Sequence, residues 1–411
     1  MKDKNGQFNC RHCNARLELN LIDLGHCAPS NSYVASGKMQ SPEINFPLVV
    51  KVCQECWLVQ TEDYHGGADL FEDDYAYLSS ISSSWLKHSS EYCSMIINRL
   101  RLNEDSFVVE VASNDGYLLQ YFNENNIRNL GVEPTLRAAE IAREKGINVV
   151  SEFFGKSTAE ELVEHYGHAD LVIGNNVYAH VPDINNFTLG LSRLLSAKGT
   201  ITLEFPHLLS LMKFTQFDTI YHEHYSYLSL NAVSKIFTHA GLKIYDVEKI
   251  TTHGGSIRIY GTHQSNEIET SPRVSDLIEE EVTFGLTQSE TYGKFQERVL
   301  EQKYRWLLML LKFKEQKKKV FGYGAAAKGN TLLNFFGIRS DLISGIYDAA
   351  ESKQEKFTPT SHIPIKSPSC INHDNPDIFI VFPWNIYDEI ANELEREYGV
   401  KRENILAANK F

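Results

Sequence analysis

The sequence predicts an α/β protein with a small N-terminal metal-binding module followed by two units, each built on a parallel, doubly wound sheet. Three observations support this prediction. Two Cys-x-x-Cys pairs lie within the first 65 residues, buried strands alternate with helices from about residue 107, and a second strand, glycine-rich turn and helix begins near residue 320. Strands separated by helices pair in parallel, and the helices then cover both faces of the sheet.

The length of 411 residues fits two or three domains rather than one, and 42% hydrophobic residues can fill their cores. We expect a zinc-binding domain over residues 1–65, a first α/β domain over 66–285 and a second over 286–411. The N-terminal region is rich in short polar turns, so a metal ion is expected to hold it together.

Apolar runs bounded by turn residues predict the elements of both α/β units. In the first unit we expect strands over 107–112, 129–133, 171–174 and 200–204, and helices over 117–123 and 135–145. Two further segments, 242–247 and 256–262, could extend or flank the same sheet. Charged helical sequence from about 276 to 319 leads to the second unit, with strands expected at 320–321, 343–347 and 377–382.

Charge and hydropathy exclude some classes of protein. The formal net charge of −13 disfavours nucleic-acid partners, because binding a phosphate backbone requires a basic surface. The polar N-terminus does not resemble a signal peptide, and no later run has the 18 or more apolar residues of a membrane span. We therefore expect a cytoplasmic protein without a membrane partner.

The cysteines point to a structural metal site. Cys10 and Cys13 form one Cys-x-x-Cys pair, and Cys53 and Cys56 form the other. Each pair can place two thiolates on a tight turn, and four thiolates complete the closed tetrahedron of structural zinc. A redox pair is the alternative, but neither pair lies in a thioredoxin-like βαβ setting.

A strand, a turn of small residues and a helix start follow one another over residues 108–117. In such a turn the backbone amides can approach a nucleotide closely, although Ala112 and Asn114 replace the usual glycines. An ordinary strand-to-helix turn is the alternative. Glu133 ends the next strand, where a carboxylate can accept hydrogen bonds from both hydroxyls of a ribose. Such a site would suit either S-adenosylmethionine or NAD.

Residues 221–227 crowd two histidines, a glutamate and three tyrosines together. Burying these groups is costly unless each has a partner or a task. A histidine suits a general base near neutral pH, and a tyrosine hydroxyl or a second histidine can stabilise an enolate oxygen. Alternatively, some of these side chains only pack, or His222 and His224, at i and i+2 of a strand, bind a metal.

Two further segments contain basic residues beside glycines. Residues 320–331 combine a strand, a glycine-rich turn and Lys328, and could hold a pyrophosphate or only allow close packing. Arg258 follows the His-Gly-Gly-Ser sequence at 253–256. Its side chain could bind a phosphate or form a salt bridge with a carboxylate.

Together these segments resemble the sugar C-methyltransferases of deoxysugar biosynthesis over essentially the whole chain. The shared motifs are the four-cysteine head, E-x-A-S-N-D-G, G-V-E-P, N-N-V-x-A-H-V-P-D, Y-H-E-H-Y-S-Y-L-S, H-G-G-S-x-R and G-Y-G-A-A-A-K-G-N-T-L-L-N. The resemblance implies a class I methyltransferase fold for the middle domain and a second Rossmann-like domain after it. It also implies S-adenosylmethionine and zinc as cofactors, and methylation at C3 of a dTDP-, GDP- or CDP-linked 4-keto-6-deoxy sugar through an enolate.

The resemblance also implies roles for individual residues. Around the cofactor these are Glu110, Asn114, Gly116, Glu133 and Asn175, with Phe153 or Phe154 near the adenine. In the catalytic pocket they are His224 as the base, with Tyr221, Glu223, His180 and Tyr75. For the sugar nucleotide they are Lys328, Asn330 and Arg258.

Other functions remain open at this level. An NAD-dependent sugar-nucleotide enzyme would use the same Glu133, and a zinc-ribbon scaffold could retain a methyltransferase fold without activity. A methyltransferase acting on a macromolecule is a third alternative. The sequence leaves the oligomeric state open, although a chain of this organisation could act as a monomer.

Overall fold

The computed structural model describes residues 8–62, 78–81 and 83–410. Its strands are β1 (Leu19–Cys27), β2 (Val34–Ala35), β3 (Phe46–Val52), β4 (Val59–Thr61), β5 (Phe107–Val111), β6 (Arg128–Val132), β7 (Val149–Val150), β8 (Ala169–Asn175), β9 (Leu195–Pro206), β10 (Ser226–Tyr227), β11 (Leu242–Ile250), β12 (Ser256–His263), β13 (Val320–Tyr323), β14 (Ile346–Tyr347), β15 (Lys356–Phe357), β16 (Ile365–Lys366), β17 (Ile378–Val381) and β18 (Ile405–Ala407).

The helices of the described residues alternate with these strands. They are α1 (Ser83–Leu100), α2 (Leu119–Glu124), α3 (Leu136–Glu144), α4 (Lys156–Tyr166), α5 (Ile184–Leu194), α6 (Leu208–Phe214), α7 (Leu230–His239), α8 (Pro272–Phe284), α9 (Ser289–Gly293), α10 (Phe295–Glu315), α11 (Ala327–Phe336), α12 (Ile371–Asp374) and α13 (Tyr387–Tyr398). None of them, within the described part of the chain, has the combined length and apolarity needed to cross a membrane.

The chain divides into two compact units. The first comprises the described residues of Met1–Leu17, Cys53–Leu208 and Tyr225–Thr287. The second comprises Glu18–Val52, Leu209–His224 and the described residues of Gln288–Phe411. The segment Glu18–Val52 thus clusters with the second unit, although in the sequence it lies between the two cysteine pairs.

The first unit is built on a seven-stranded sheet with the order β11-β12-β9-β8-β5-β6-β7. The five strands from β9 to β7 are parallel, whereas β12 is antiparallel to both β9 and β11. The central strand β5 is buried along its whole length, as expected when helices cover both faces. The strand order reverses between β5 and β8, so their carboxyl ends border the crevice where ligands bind in such sheets.

This order confirms the class I methyltransferase fold. The predicted strands occur within a few residues of their expected ends, and 242–247 and 256–262 do extend the sheet as the antiparallel β11 and β12. In the same unit, β4 pairs with β10 in an antiparallel ladder, and both cysteine pairs lie on turns.

The second unit contains a five-stranded, all-parallel sheet with the order β16-β14-β13-β17-β18. This order resembles one half of a Rossmann fold. The first strand of the sheet, β13, lies at its centre, and the strand order reverses between β13 and β17. The antiparallel pair β1–β3 belongs to the same unit. The loop between these two strands contains β2, which pairs with β15.

Candidate functional site

The four cysteines of the two Cys-x-x-Cys pairs meet in the first unit. Their Sγ atoms all lie within 4.8 Å of one another, and Cys10, Cys53 and Cys56 are buried while Cys13 is exposed. Tetrahedral zinc with Zn–S bonds of about 2.3 Å requires sulfur atoms about 3.8 Å apart. The Sγ distances of 3.5 Å between Cys10 and Cys56 and 3.4 Å between Cys13 and Cys53 are close to that requirement.

Both cysteine turns have the same backbone geometry. The Asn14 amide donates to the Cys10 carbonyl and the Trp57 amide donates to the Cys53 carbonyl, each at 2.9 Å. Asn14 and Trp57 both have left-handed backbone conformations, with φ of 63° and 65°. The two matching turns bring four sulfur atoms together. This arrangement fits a structural zinc ion that stabilises this part of the unit.

The predicted cofactor loop leaves the carboxyl end of β5. Ala112 and Asn114, where glycine was expected, have positive φ of 58° and 48°. Gly116 has a φ of 74°, and a Cβ there would lie only 2.6 Å from Ile147 Cδ1, so glycine is required by both conformation and space. The loop therefore has the tight geometry predicted from the small residues.

Glu133 supports the same loop from the end of β6. Its Oε2 accepts a hydrogen bond from the Asn114 amide at 3.0 Å, and its Oε1 accepts one from the Thr135 amide at 2.8 Å. Burial raises the pKa of Glu133, and these backbone donors oppose the rise. Each carboxylate oxygen retains a lone pair for a further donor, such as a ribose hydroxyl.

Several buried polar atoms near these strand ends lack hydrogen-bond partners among the described residues. They are both carboxylate oxygens of Glu110, the hydroxyl of Ser113 and both amide atoms of Asn175. Burial raises the pKa of Glu110 well above its ordinary value, which the nearby Tyr117 hydroxyl only partly opposes. Buried polar groups are normally satisfied, so this set indicates a ligand with several polar groups. S-adenosylmethionine, with an adenine, a ribose and an amino acid, fits that requirement.

The other predicted site residues of the first unit differ in their burial and in their contacts. Phe153 is 58% exposed, whereas Phe154 packs edge-on against Phe187. His180 is half-buried at the end of a short 3-10 turn. Arg258 is buried, and its guanidinium forms salt bridges with Glu204 and Glu248, the salt-bridge alternative of the sequence analysis. Tyr75 lies outside the described residues.

His224 lies in the second unit between two hydrogen-bond partners. Its Nδ1 is 2.9 Å from the Thr219 carbonyl, and its Nε2 is 2.7 Å from the Tyr221 hydroxyl. A carbonyl can only accept, so Nδ1 carries the proton. In the neutral ring Nε2 is then the basic nitrogen and accepts from Tyr221.

Residues 221–224 do not form a strand, so the geometry assumed for a metal site at His222 and His224 is wrong. Among the described residues, the four cysteines are the one cluster close enough to hold a metal ion. The Nε2 of His222 instead donates to the Pro47 carbonyl at 3.2 Å.

Glu223 is nearly inaccessible to solvent, with 3% of its surface exposed. Burial raises its pKa to about 7, although the Asn31 amide opposes this rise by donating to Oε1 at 2.7 Å. Glu223 can therefore exchange a proton near neutral pH, a property suited to acid–base chemistry. Asn31 lies in a polar loop without periodicity, so nothing in the sequence indicated it.

Lys328 lies in the first turn of α11, after the glycine-rich turn that follows β13. Its Nζ donates to Asn385 Oδ1 at 2.8 Å and lies 4.3 Å from the centre of the Trp384 ring. Burial lowers the pKa of Lys328 to about 8, and the charge of Asp218 opposes this effect. Trp384 Nε1 donates to Asp218 Oδ2 at 2.5 Å, so Lys328 and the segment before His224 share one neighbour.

Asn330 is buried on the same helix. Its Nδ2 donates to the Ser30 carbonyl at 2.6 Å, and its Oδ1 has no hydrogen-bond partner among the described residues. The preceding turn is closely packed, because a Cβ at Gly324 would lie 2.5 Å from Pro383 Cδ. Close packing therefore accounts for that glycine, whereas Lys328 and Asn330 still offer polar atoms.

The chain matches known protein families and a known protein, and these matches agree with the geometry described above. Residues 10–71 match a zinc binding domain, 85–247 a methyltransferase domain and 251–404 a C-methyltransferase C-terminal domain. C-methyltransferase NovU of Streptomyces niveus is 32% identical over 392 residues, which cover 95% of this chain and 92% of that protein.

Solved structures match over less than half of the chain. Magnesium protoporphyrin IX methyltransferase from Synechocystis, with bound SAH, has 14% identity and a TM-score of 0.35, covering 44% of this chain and 83% of its own. A methyltransferase described as S-adenosylmethionine-dependent, from Clostridium acetobutylicum, has 10% identity and a TM-score of 0.35, covering 43% and 92%.

The fold and the cofactor loop define a class I methyltransferase. The match to NovU is specific enough to go further: the chain belongs to the family of this C-methyltransferase. It is an S-adenosylmethionine-dependent C-methyltransferase with a zinc-binding domain, as the sequence analysis predicted. The alternative of an NAD-dependent enzyme is therefore wrong.

Proposed function

We propose that this C-methyltransferase adds its methyl group to C3 of a nucleotide-linked 4-keto-6-deoxy sugar through an enolate. The observation that carries the proposal is the arrangement of His224 between the Thr219 carbonyl and the Tyr221 hydroxyl. With Nδ1 donating to the carbonyl, the neutral ring has its basic nitrogen at Nε2, beside a hydroxyl that can stabilise an oxyanion. A carbon next to a carbonyl group needs both functions to become a nucleophile.

In this proposal the chain's own residues generate the enolate. The Nε2 of His224 takes the proton from C3, and the Nδ1 hydrogen bond to Thr219 stabilises the resulting imidazolium. When the substrate binds, the Tyr221 hydroxyl transfers its hydrogen bond from Nε2 to O4, which frees the Nε2 lone pair for the C3 proton and stabilises the developing oxyanion. S-adenosylmethionine, when bound, supplies the electrophilic methyl group. Glu223, whose pKa burial raises to about 7, is proposed to take part in the same proton transfer. The family resemblance adds His180 and Tyr75 to the residues proposed for this reaction.

We assign the donor to the first unit and the sugar nucleotide to the second. The cofactor residues are Glu110, Asn114, Gly116, Glu133 and Asn175, with Phe153 or Phe154 at the adenine. The buried atoms of Glu110 and Asn175 that lack partners support this assignment.

For the nucleotide we propose Lys328, whose ammonium can pair with a phosphate, and Asn330, whose Oδ1 can accept from a ligand. Arg258 is buried in two salt bridges, which disfavours a phosphate role for it.

The experiment that tests the proposal is mass spectrometry of dTDP-, GDP- and CDP-linked 4-keto-6-deoxy sugars incubated with the protein and S-adenosylmethionine in deuterated water. We expect one sugar to gain a methyl group, and unreacted substrate to take up deuterium at C3. Methylation without exchange would mean either that every deprotonated substrate goes on to methylation or that deprotonation is concerted with methyl transfer. No methylation of any sugar, under conditions where S-adenosylmethionine binds, would overturn the substrate assignment.

A further inference from the structure

The loop between β1 and β3 provides three closely spaced contacts to candidate residues of the second unit. The Ser30 carbonyl accepts from Asn330, the Asn31 amide donates to Glu223, and the Tyr33 hydroxyl donates to the Ala325 carbonyl at 2.5 Å. Three residues within a stretch of four thus reach the catalytic segment, helix α11 and the glycine-rich turn. We call residues 30–33 the loop strap.

The loop strap is fixed at both ends within the second unit. Strand β2 follows it directly and pairs with β15. Before it, the Ala28 amide donates to Thr360 Oγ1 at 3.1 Å. The Lys353 ammonium also lies 5.5 Å from the centre of the Tyr33 ring and donates to the Ala325 carbonyl at 3.0 Å. The position of Asn31 is therefore set by the surrounding structure rather than by its own bond to Glu223.

The Asn31–Glu223 contact joins an exposed amide to a buried carboxylate. A hydrogen bond donated to a carboxylate favours its charged form and restricts its rotation. Among the described residues, Asn31 is the one whose side chain opposes the rise in the Glu223 pKa that burial causes. Without this donor, a carboxylate in such an environment would be neutral over a wider pH range.

We propose that Asn31 is a positioning residue of the methyl-transfer reaction, which holds the Glu223 carboxylate ionised and in a single orientation. This inference rests on the proposed function, because it concerns the state of Glu223 during catalysis. It gives a role to a residue that the sequence placed in the zinc-binding domain.

The sign of the pH effect follows from the groups around Glu223. Tyr221, His222 and His224 are its neighbours on the catalytic segment, and Tyr33 faces it from the loop strap. Burial, and then the charges of Asp348 and Glu223, raise the pKa of the Tyr33 hydroxyl. Burial already raises the pKa of Glu223 to about 7. Removing the Asn31 donor must raise it further, so the carboxylate should ionise at higher pH.

The test compares wild type with Asn31→Ala and with Asn31→Asp, a nearly isosteric change that replaces the donor with a carboxylate. The matched control is Asn45→Ala, from the same loop, whose side chain contacts Glu43 and Thr360 instead. Two quantities are measured: the pH profile of kcat, and the carboxyl titration of the substrate-free protein by infrared difference spectroscopy, with Glu223→Gln used to identify the Glu223 band.

We expect Asn31→Ala to move the Glu223 titration upward by about one to two pH units, the equivalent of one hydrogen bond to a charged group. Asn31→Asp should move it at least as far, and Asn45→Ala should not move it. An unchanged titration in both Asn31 variants would overturn the inference. If the wild type methylates no keto-sugar, the proposed function fails, but the infrared titration still decides the effect of Asn31 on Glu223.

Discussion

Replacing His224 with asparagine removes one ring nitrogen from the proposed site and preserves the position of the other. The Nδ1 of His224 donates to the Thr219 carbonyl at 2.9 Å, and Nε2 accepts from the Tyr221 hydroxyl at 2.7 Å. The Nδ2 of asparagine is as many bonds from the backbone as the Nδ1 of histidine, so it can keep the bond to Thr219. The variant therefore loses the basic nitrogen and little else.

The expected magnitude follows from the two interactions that are lost. General base catalysis contributes about 10²–10⁴-fold, or roughly 3–5 kcal/mol of barrier. Losing the hydrogen bond from Tyr221 changes the free energy by about 1 kcal/mol, which is less than a tenfold effect. We therefore expect kcat of His224→Asn to fall about 10²–10⁴-fold. We expect the affinity for S-adenosylmethionine not to change, because the residues proposed to bind the cofactor belong to the first unit and His224 belongs to the second.

The assay combines single-turnover methyl transfer, calorimetric binding of S-adenosylmethionine and deuterium exchange at C3. His222→Asn is the matched control, because it makes the same substitution two residues away at a ring bound to the Pro47 carbonyl. The control should retain most of its turnover and its exchange. A loss of less than tenfold in His224→Asn, with exchange intact, or an equal loss in both variants, would refute His224 as the base.

Three further predictions concern ligand affinity and stability. Glu133→Gln should weaken S-adenosylmethionine binding about 10–100-fold in calorimetry, because a hydrogen bond to a charged group is worth about 1.5–3 kcal/mol; unchanged affinity would exclude Glu133 as a ribose ligand. Arg258→Met should lower the free energy of unfolding by up to about 3–5 kcal/mol, because the buried Glu204 carboxylate loses its guanidinium partner and keeps the His88 ring, at 2.8 Å. Arg258→Met with Glu204→Leu should restore part of this loss in urea titrations. The raised pKa of Glu223, about 7 against an ordinary 4.5, should cost the wild type about 3 kcal/mol of stability as the pH rises from 4.5 through 7. Between pH 5 and pH 8 the free energy of unfolding should fall by about 2–3 kcal/mol more in wild type than in Glu223→Gln, because the raised pKa values of Glu110 and Glu133 affect both proteins alike.

Much of the first unit could be predicted from the sequence because its signals are local. Fully apolar runs such as 107–111 mark strands that helices cover on both faces. In a parallel sheet the residues after such strands lie at one edge, which is why the loop at Asn114 and the carboxylate of Glu133 could be expected together. Their contact at 3.0 Å agrees with that expectation.

The second unit was less predictable because its contacts join distant segments. Asn31 and Glu223 are 192 positions apart, and Trp384 and Asp218 are 166 apart. Neither pair follows a helical or strand period, and Asn31 lies in a polar loop. The sequence could show that the segment around His224 is rich in reactive groups, but not which carbonyl or amide would orient each one.

The second parallel sheet has a structural relation to His224, the proposed base, that a nucleotide-binding role alone would not require. Thr219, which orients His224, lies between two residues bound to elements at the carboxyl edge of that sheet. Asp218 accepts from Trp384 in the turn after β17, and the Ile220 carbonyl accepts from Thr331 of α11 at 2.8 Å. Lys328 lies against the same Trp384 ring. The position of a phosphate bound by Lys328 and the position of the Thr219 carbonyl would therefore both depend on this ring. Precise placement of a base relative to its substrate is worth several orders of magnitude in rate, and in the proposed function both sites are held at the same sheet edge.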